Sequence, residues 1–241
     1  MGPMRAIHLY LGLFDAVDRP EVRAACLATL SQAERDRLER FRLERDRRQY
    51  ILAHGALRAA LSQHAPGVRP ADWSFVADRY ERPFVAGPAT DEPIFFSLSH
   101  TEGCVACAIS PHERIGVDVE ATDANCSHLG IAELNFSSTE NKVLRALSPL
   151  EQPDRFFDFW TLKEAYLKAH GTGFHRPLDD FTMLLAPGRP VGIAFHPGSD
   201  DDPQRWRFTQ SSPTPRHRLA IADGSGRDGG LPIVCHPWPV A

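Results

Sequence analysis

Residues 115–120, Ile115-Gly116-Val117-Asp118-Val119-Glu120, alternate apolar and acidic side chains. Successive side chains of a strand face opposite ways, so this stretch predicts a strand with Asp118 and Glu120 projecting from one face, about 6.6 Å apart along the strand rise. Two such carboxylates can share a hard cation, or they can sit on a solvated edge. Downstream, residues 137–147 and 153–170 predict helices, and residues 181–234 read as a strand-rich tail. In the second helix Phe159, Leu162, Tyr166 and Ala169 form an apolar stripe at helical spacing. Glu164 and Lys168, four apart, lie together on another side. Periodicity alone does not separate an exposed Glu–Lys pair from a working one.

Upstream, residues 5–14 read as a strand. Ser31, with Glu34 three residues on, offers a capping box for a helical region. Leu38, Phe41, Tyr50, Ala53, Leu57 and Leu61 recur there at helical spacing until Pro66-Gly67, while Arg35, Arg37, Arg40, Arg42, Arg45, Arg47 and Arg48 mark its solvent side. Short strands are predicted at 73–77, around Phe84, at 94–99 and at 104–110, with 111–114 a natural junction. Each half therefore runs from helix to strands. That order predicts an α+β fold of two similar lobes, residues 1–112 and 113–241, each with helices packed on a small, mostly antiparallel sheet.

Composition narrows the class. The 241 residues are 42% hydrophobic and 24% charged, as in a soluble globular protein, and a net charge of −4 argues against a protein devoted to coating nucleic acid. No apolar stretch approaches the roughly 20 residues of a membrane-spanning helix, and residues 7–14 are too short for a signal peptide, so the cytoplasm is expected. The five cysteines, Cys26, Cys104, Cys107, Cys126 and Cys235, form no dense framework and are expected as reduced thiols. Cys104 and Cys107 resemble a metal or redox pair, but residues three apart on a buried strand face opposite ways.

The stretch Phe95-Phe96-Ser97-Leu98-Ser99-His100 ends a strand in a serine and a histidine. Neighbours on a strand cannot easily form a nucleophile-to-base hydrogen bond, which argues against a serine hydrolase. A Gly-x-Ser-x-Gly elbow, a phosphate-cradling Gly-Lys-Ser/Thr loop and a His-Glu-x-x-His zinc helix are all missing from the sequence.

Taken in order, Phe-Ser-Leu-Ser-His, then Ile-Gly-Val-Asp-Val-Glu, then Phe159-Trp160-Thr161-Leu162-Lys163-Glu164-Ala165-Tyr166-Leu167-Lys168 resemble the Sfp-type 4′-phosphopantetheinyl transferase family. The resemblance spans residues 31–181. It implies a monomer with two pseudo-twofold-related lobes and the active site between them. The N-terminal lobe would hold the nucleotide of coenzyme A, and the C-terminal lobe the metal carboxylates and the carrier-protein contacts. The implied reaction is a transfer in which the serine of an acyl, peptidyl or aryl carrier protein attacks the β-phosphorus of coenzyme A and releases adenosine 3′,5′-bisphosphate. Fatty acid, polyketide and nonribosomal peptide synthesis are the pathways that use such carriers.

By the same resemblance Asp118, Glu120 and Glu164 bind Mg2+, for which Mn2+ can substitute. Glu164 is the candidate base for the serine proton. Lys168 and His100 hold phosphates, with Ser99 a hydrogen-bond donor beside them and Lys163 a further contributor. The family's Gly-Lys-Pro turn reads Glu81-Arg82-Pro83 here, so Arg82 is the phosphate or adenine-side contact, with glutamate in place of the usual glycine. In the basic helix Arg47 and Arg48 fall to the 3′-phosphate, and Glu34 stands where some relatives have a basic residue. Gly171-Thr172-Gly173-Phe174 matches the family's glycine-containing turn, and also reads as a helix C-cap.

Two other classes compete. A magnesium-dependent phosphoanhydride hydrolase acting on coenzyme A or nucleotides could use the same carboxylates without a carrier. A non-catalytic module could retain coenzyme A or a carrier partner, although intact Asp118, Glu120, Glu164 and Lys168 count against lost chemistry. Nucleic acid and membrane are not expected as partners.

Overall fold

The computed structural model describes residues 4–123, 127–199 and 201–238; the expected thiol at Cys126 lies outside the described residues. Along the chain run β1 (Ile7–Leu13), α1 (Phe14–Val17), α2 (Pro20–Thr29), α3 (Gln32–Leu38), α4 (Glu44–His64), β2 (Ser74–Ala77), β3 (Pro83–Gly87), β4 (Phe95–Thr101) and β5 (Cys104–Ser110). Then follow β6 (Ile115–Ala121), α5 (His128–Asn135), α6 (Ser138–Ala146), α7 (Gln152–His170), β7 (Phe181–Leu184), β8 (Gly192–Phe195), β9 (Arg207–Thr214), β10 (His217–Asp223) and β11 (Ile233–His236). The chain divides into two units, Met1–Glu113 with Leu231–Ala241, and Arg114–Gly230.

In the first unit the strand order is β11-β1-β5-β4. The chain end was expected in the second lobe, but β11 pairs parallel with β1, matching Ile7 with Ile233 and Tyr10 with His236, and so returns to the first unit. The other pairings of this sheet are antiparallel. Leu57, Ala60 and Leu61 of α4 pack with Tyr10, Trp73, Phe96, Cys107 and Ile109 into one core. Every residue of β5 is buried, so Cys104 and Cys107 are both covered although they face opposite ways. Burial raises the Cys104 thiol to about 11, which suits an inert packing residue.

The helical region expected from Ser31 onward is interrupted. The Ser31–Glu34 capping box starts α3 as predicted, but α3 ends at Leu38 and α4 begins afresh at Glu44. Arg35 is not a solvent marker: its guanidinium donates to the carbonyls of Leu27 (2.8 Å) and Leu30 (3.1 Å), the orphan acceptors at the end of α2. Glu34 also bonds the buried Arg58 at 2.6 Å and His54 at 3.0 Å. Burial pushes its carboxyl up, but these hydrogen bonds and the Ser31 backbone bring it down to about 2. The sequence reading missed α2 and α5; Pro20 at the first turn of α2 is the start signal it passed over.

The second unit has a sheet of order β6-β10-β9, antiparallel throughout, and a separate β7-β8 hairpin. Its element order repeats that of the first unit: a strand, short helices, one long helix, a small hairpin, then two strands of the main sheet, the last pairing beside the first strand. The α+β class and the two similar lobes follow from this shared order. Helix α7 lies over β6 and β10, burying Phe159, Leu162, Ala165, Tyr166 and Ala169 with Ala220 and Ala222. Gly171, at φ 84°, ends it as a left-handed cap.

Gly116 sets how close α7 comes. A Cβ there would lie 1.9 Å from the Ala165 carbonyl oxygen and 2.7 Å from the Ala169 nitrogen, both helix backbone atoms with no rotamer to move. Gly116→Ala is therefore expected to destabilise the protein by about 3 kcal/mol or more, a fall of roughly 10 °C in Tm. A melting curve within a few degrees of wild type would disprove the contact.

A second expectation concerns pH. Beside a cavity of about 780 Å³ in the first unit, His8 Nδ1 and His236 Nε2 lie 2.7 Å apart, and Tyr10 Oη is 2.9 Å from His64 Nε2. Burial, then the charges of His8 and His236, lower His64 from 6.5 to about 4. Folding thus favours the neutral ring, and stability should fall as pH drops from about 6.5 towards 4, by about 1–2 kcal/mol once solvent screening is allowed for. Thermal melts of His64→Gln across this range should show a flatter pH dependence; an unchanged slope would rule His64 out.

Candidate active site

Gly116, Asp118 and Glu120 occupy alternate positions of β6 and share its face, the face Gly116 turns to α7. On α7, Trp160, Glu164 and Lys168 recur every four residues and share one side. The two series meet as a ladder. The Trp160 indole Nε1 donates to Glu120 Oε1 at 3.3 Å, and Lys168 Nζ lies 2.7 Å from Asp118 Oδ1. Glu164 stands on α7 between these two contacts. Trp160 is a contact that the sequence analysis does not single out; its four-residue spacing to Glu164 and Lys168 is the available signal.

The electrostatics of this ladder are those of crowded carboxylates. Asp118 is 3% exposed. Burial, then the neighbouring Asp118 charge, push Glu164 up to about 7; Lys168 opposes the rise and Glu120 adds to it. Glu164 Oε1 is buried without a hydrogen-bond partner, a costly state for a carboxylate oxygen. The donor set is wholly carboxylate oxygen, the chemistry that Mg2+ or Mn2+ takes, so these residues fit a hard divalent cation. As the side chains stand, no three Asp, Glu, His or Cys groups close on one point among the described residues. The Lys168 ammonium supplies the positive charge at Asp118.

Lys163 requires a correction. It is fully buried, its Nζ 2.8 Å from Glu140 Oε2 and donating to the carbonyls of Leu178 and Phe181 at 2.7 Å each. These three partners use all three ammonium donors. Glu140 in turn caps α6 in a box with Ser137 and accepts from the Met183 backbone. Lys163 is thus a core ion pair that ties α7 to α6 and to the segment entering β7, and it has no donor left for a phosphate.

The remaining candidates lie in the first unit. Arg47 and Arg48 sit in the opening turns of α4, half-exposed and paired with Glu44; Arg48 also reaches Asp18 at 3.5 Å. Arg82 follows Glu81, which holds φ 63°, the left-handed region that favours glycine. The Arg82 guanidinium donates to the Glu113 carbonyl and borders a cavity of about 270 Å³ lined also by Asp78, Phe84 and Phe96. Ser99 is buried in β4 and the adjacent His100 is exposed, opposite faces of one strand, as the argument against a hydrolase dyad requires.

Residues 114–222, nearly the whole second unit, match the family model described as the 4′-phosphopantetheinyl transferase superfamily. The 4′-phosphopantetheinyl transferase HetI of Nostoc sp. is 31% identical over 75% of this chain and 76% of its own. The 4′-phosphopantetheinyl transferase Sfp of Bacillus subtilis is 30% identical over 73% and 77%. Among solved structures, holo-[acyl-carrier-protein] synthase of Thermotoga maritima aligns with 45% of this chain and 60% of its own at 20% identity and a TM-score of 0.37, too partial a likeness to bear on function. The chain belongs to the 4′-phosphopantetheinyl transferase superfamily and is a transferase.

The Glu164 environment carries its own expectation. Folding disfavours ionised Glu164, so the metal-free protein should lose stability as pH rises from about 4.5 through 7. Glu164→Gln removes the charge and should melt higher than wild type at pH 8, by on the order of 1–3 kcal/mol. Equal melting of the two proteins at pH 8 would contradict the crowding.

Proposed function

We propose that the chain moves the phosphopantetheine arm of coenzyme A to a serine of an acyl, peptidyl or aryl carrier protein, releasing adenosine 3′,5′-bisphosphate. The observation that carries this reading is the ladder of Asp118, Glu120, Glu164 and Lys168, because it joins three carboxylates and an ammonium on one face, as a phosphoanhydride and a divalent cation require. Asp118, Glu120 and Glu164 would hold Mg2+ or Mn2+. When bound, such an ion neutralises charge on the phosphoanhydride oxygens.

In the transfer, the serine Oγ forms a bond to the β-phosphorus, and the bond to the bridging oxygen breaks towards the nucleotide. Glu164 takes the serine proton. Lys168 holds a phosphate oxygen, exchanging its hold on Asp118 for the substrate.

The first unit supplies Arg47, Arg48, Arg82, Ser99 and His100 to the coenzyme A nucleotide, and the second unit supplies the metal carboxylates and the carrier contacts. The reading includes a cytoplasmic monomer serving fatty acid, polyketide or nonribosomal peptide synthesis, without nucleic acid or membrane partners. In support, no described helix is long and apolar enough to cross a membrane, and the net charge is −4.

Intact-mass spectrometry of unmodified carrier proteins incubated with the protein, coenzyme A and Mg2+ tests the reading. One added phosphopantetheine is expected on the carrier serine, abolished by chelator and by Asp118→Ala or Glu164→Ala in folded protein. Coenzyme A cleavage without carrier modification would replace the transferase reading with a hydrolase.

A further inference from the structure

We infer that Trp160 is a positioning residue for Glu120: its indole N–H holds one oxygen of the carboxylate and so orients the side chain that would hold the cation. This rests on the reading of Glu120 as a metal ligand. The contact is direct, Nε1 to Oε1 at 3.3 Å, the long end of the hydrogen-bond range, and joins a neutral donor to a carboxylate acceptor.

The donor is held in place by its own packing. The Trp160 ring stacks on Phe156 with centroids 5.7 Å apart and planes at 20°, and Phe136 packs beside both, 6.3 Å from Trp160. Phe136 in turn stacks on Phe156 at 5.3 Å. The three rings come from α7 and from the segment between α5 and α6, so the indole leaves this contact only by giving up its stacking on Phe156 and Phe136. An indole offers a single donor and no acceptor. It can therefore hold a carboxylate oxygen but cannot compete with it for a cation.

Partners that orient metal ligands in this way affect cation affinity about as strongly as ligands of moderate strength, by roughly 10-fold or more. A phenylalanine at 160 keeps one ring on Phe156 and removes the N–H together with the indole's second ring, so melting curves recorded beside the binding measurement separate the lost donor from the lost packing.

The test is Mn2+ binding to the free protein, followed by electron paramagnetic resonance, for wild type, Trp160→Phe and Glu120→Gln, with melting curves recorded in parallel. The inference expects Trp160→Phe to stay folded, melting within a few degrees of wild type, and to bind Mn2+ about 10-fold more weakly. It expects Glu120→Gln to lose at least as much. Wild-type affinity in Trp160→Phe, with affinity lost in Glu120→Gln, overturns the role of Trp160 and leaves Glu120 a ligand. Unchanged affinity in Glu120→Gln overturns the metal reading itself. Should Trp160→Phe unfold, indole N–H resonances decide on folded protein: the Trp160 signal should shift when Mg2+ is added to wild type and stay fixed in Glu120→Gln. A signal that does not move in wild type overturns the inference.

Discussion

The close approach of α7 to β6 is the constraint on which the second unit depends. Gly116 presents bare backbone to the helix, and Ala165 and Ala169 present the smallest side chains back. Only that separation lets short side chains such as Asp118 and Glu120 reach groups on the helix. A methyl at 116 would force the helix outward, and the contacts at 2.7 Å and 3.3 Å along the same face would open together. Packing and site geometry are here the same feature.

Electrostatics explains why the face is built of opposites. Carboxylates gathered in a largely buried groove repel one another and lose hydration, which raises the Glu164 proton affinity. Lys168 relieves part of that load at Asp118. Five residues earlier on α7, Lys163 makes a similar-looking ion pair with Glu140, but in a fully enclosed setting with three fixed acceptors. The Lys168 side chain stays about 31% exposed and keeps access to solvent. Two lysines of one helix thus divide into a structural clamp and a group that solvent can reach.

The first unit reuses the same order of elements with different surface chemistry. Its long helix opens with arginines paired to Glu44 and Asp18, and its small hairpin carries Arg82 on a turn whose Glu81 occupies a left-handed conformation. Such a conformation costs a residue with a Cβ of order 1 kcal/mol. The turn shape expected of glycine therefore persists without it.

Much of this was legible in the residues. The alternation at 115–120, the capping pair at Ser31, the helix from Ser137, the strands from 73 to 110 and the long helix ending at Gly171 all follow from local rules of spacing, capping and left-handed turns, which act over a few residues. The grouping of Asp118 and Glu120 with Glu164 and Lys168 came from the resemblance to the transferase family, because spacing alone left both pairs open. What sequence could not decide was which face of α7 meets β6, because a helix that buries aromatic residues over most of its circumference gives periodicity no single answer. Tertiary packing assigned Lys163 to the core, brought Trp160 to Glu120, turned Arg35 onto the end of α2 and carried β11 back to β1. Each of these depends on partners 5 to more than 200 positions away, and local chemistry holds no record of them until the chain has folded.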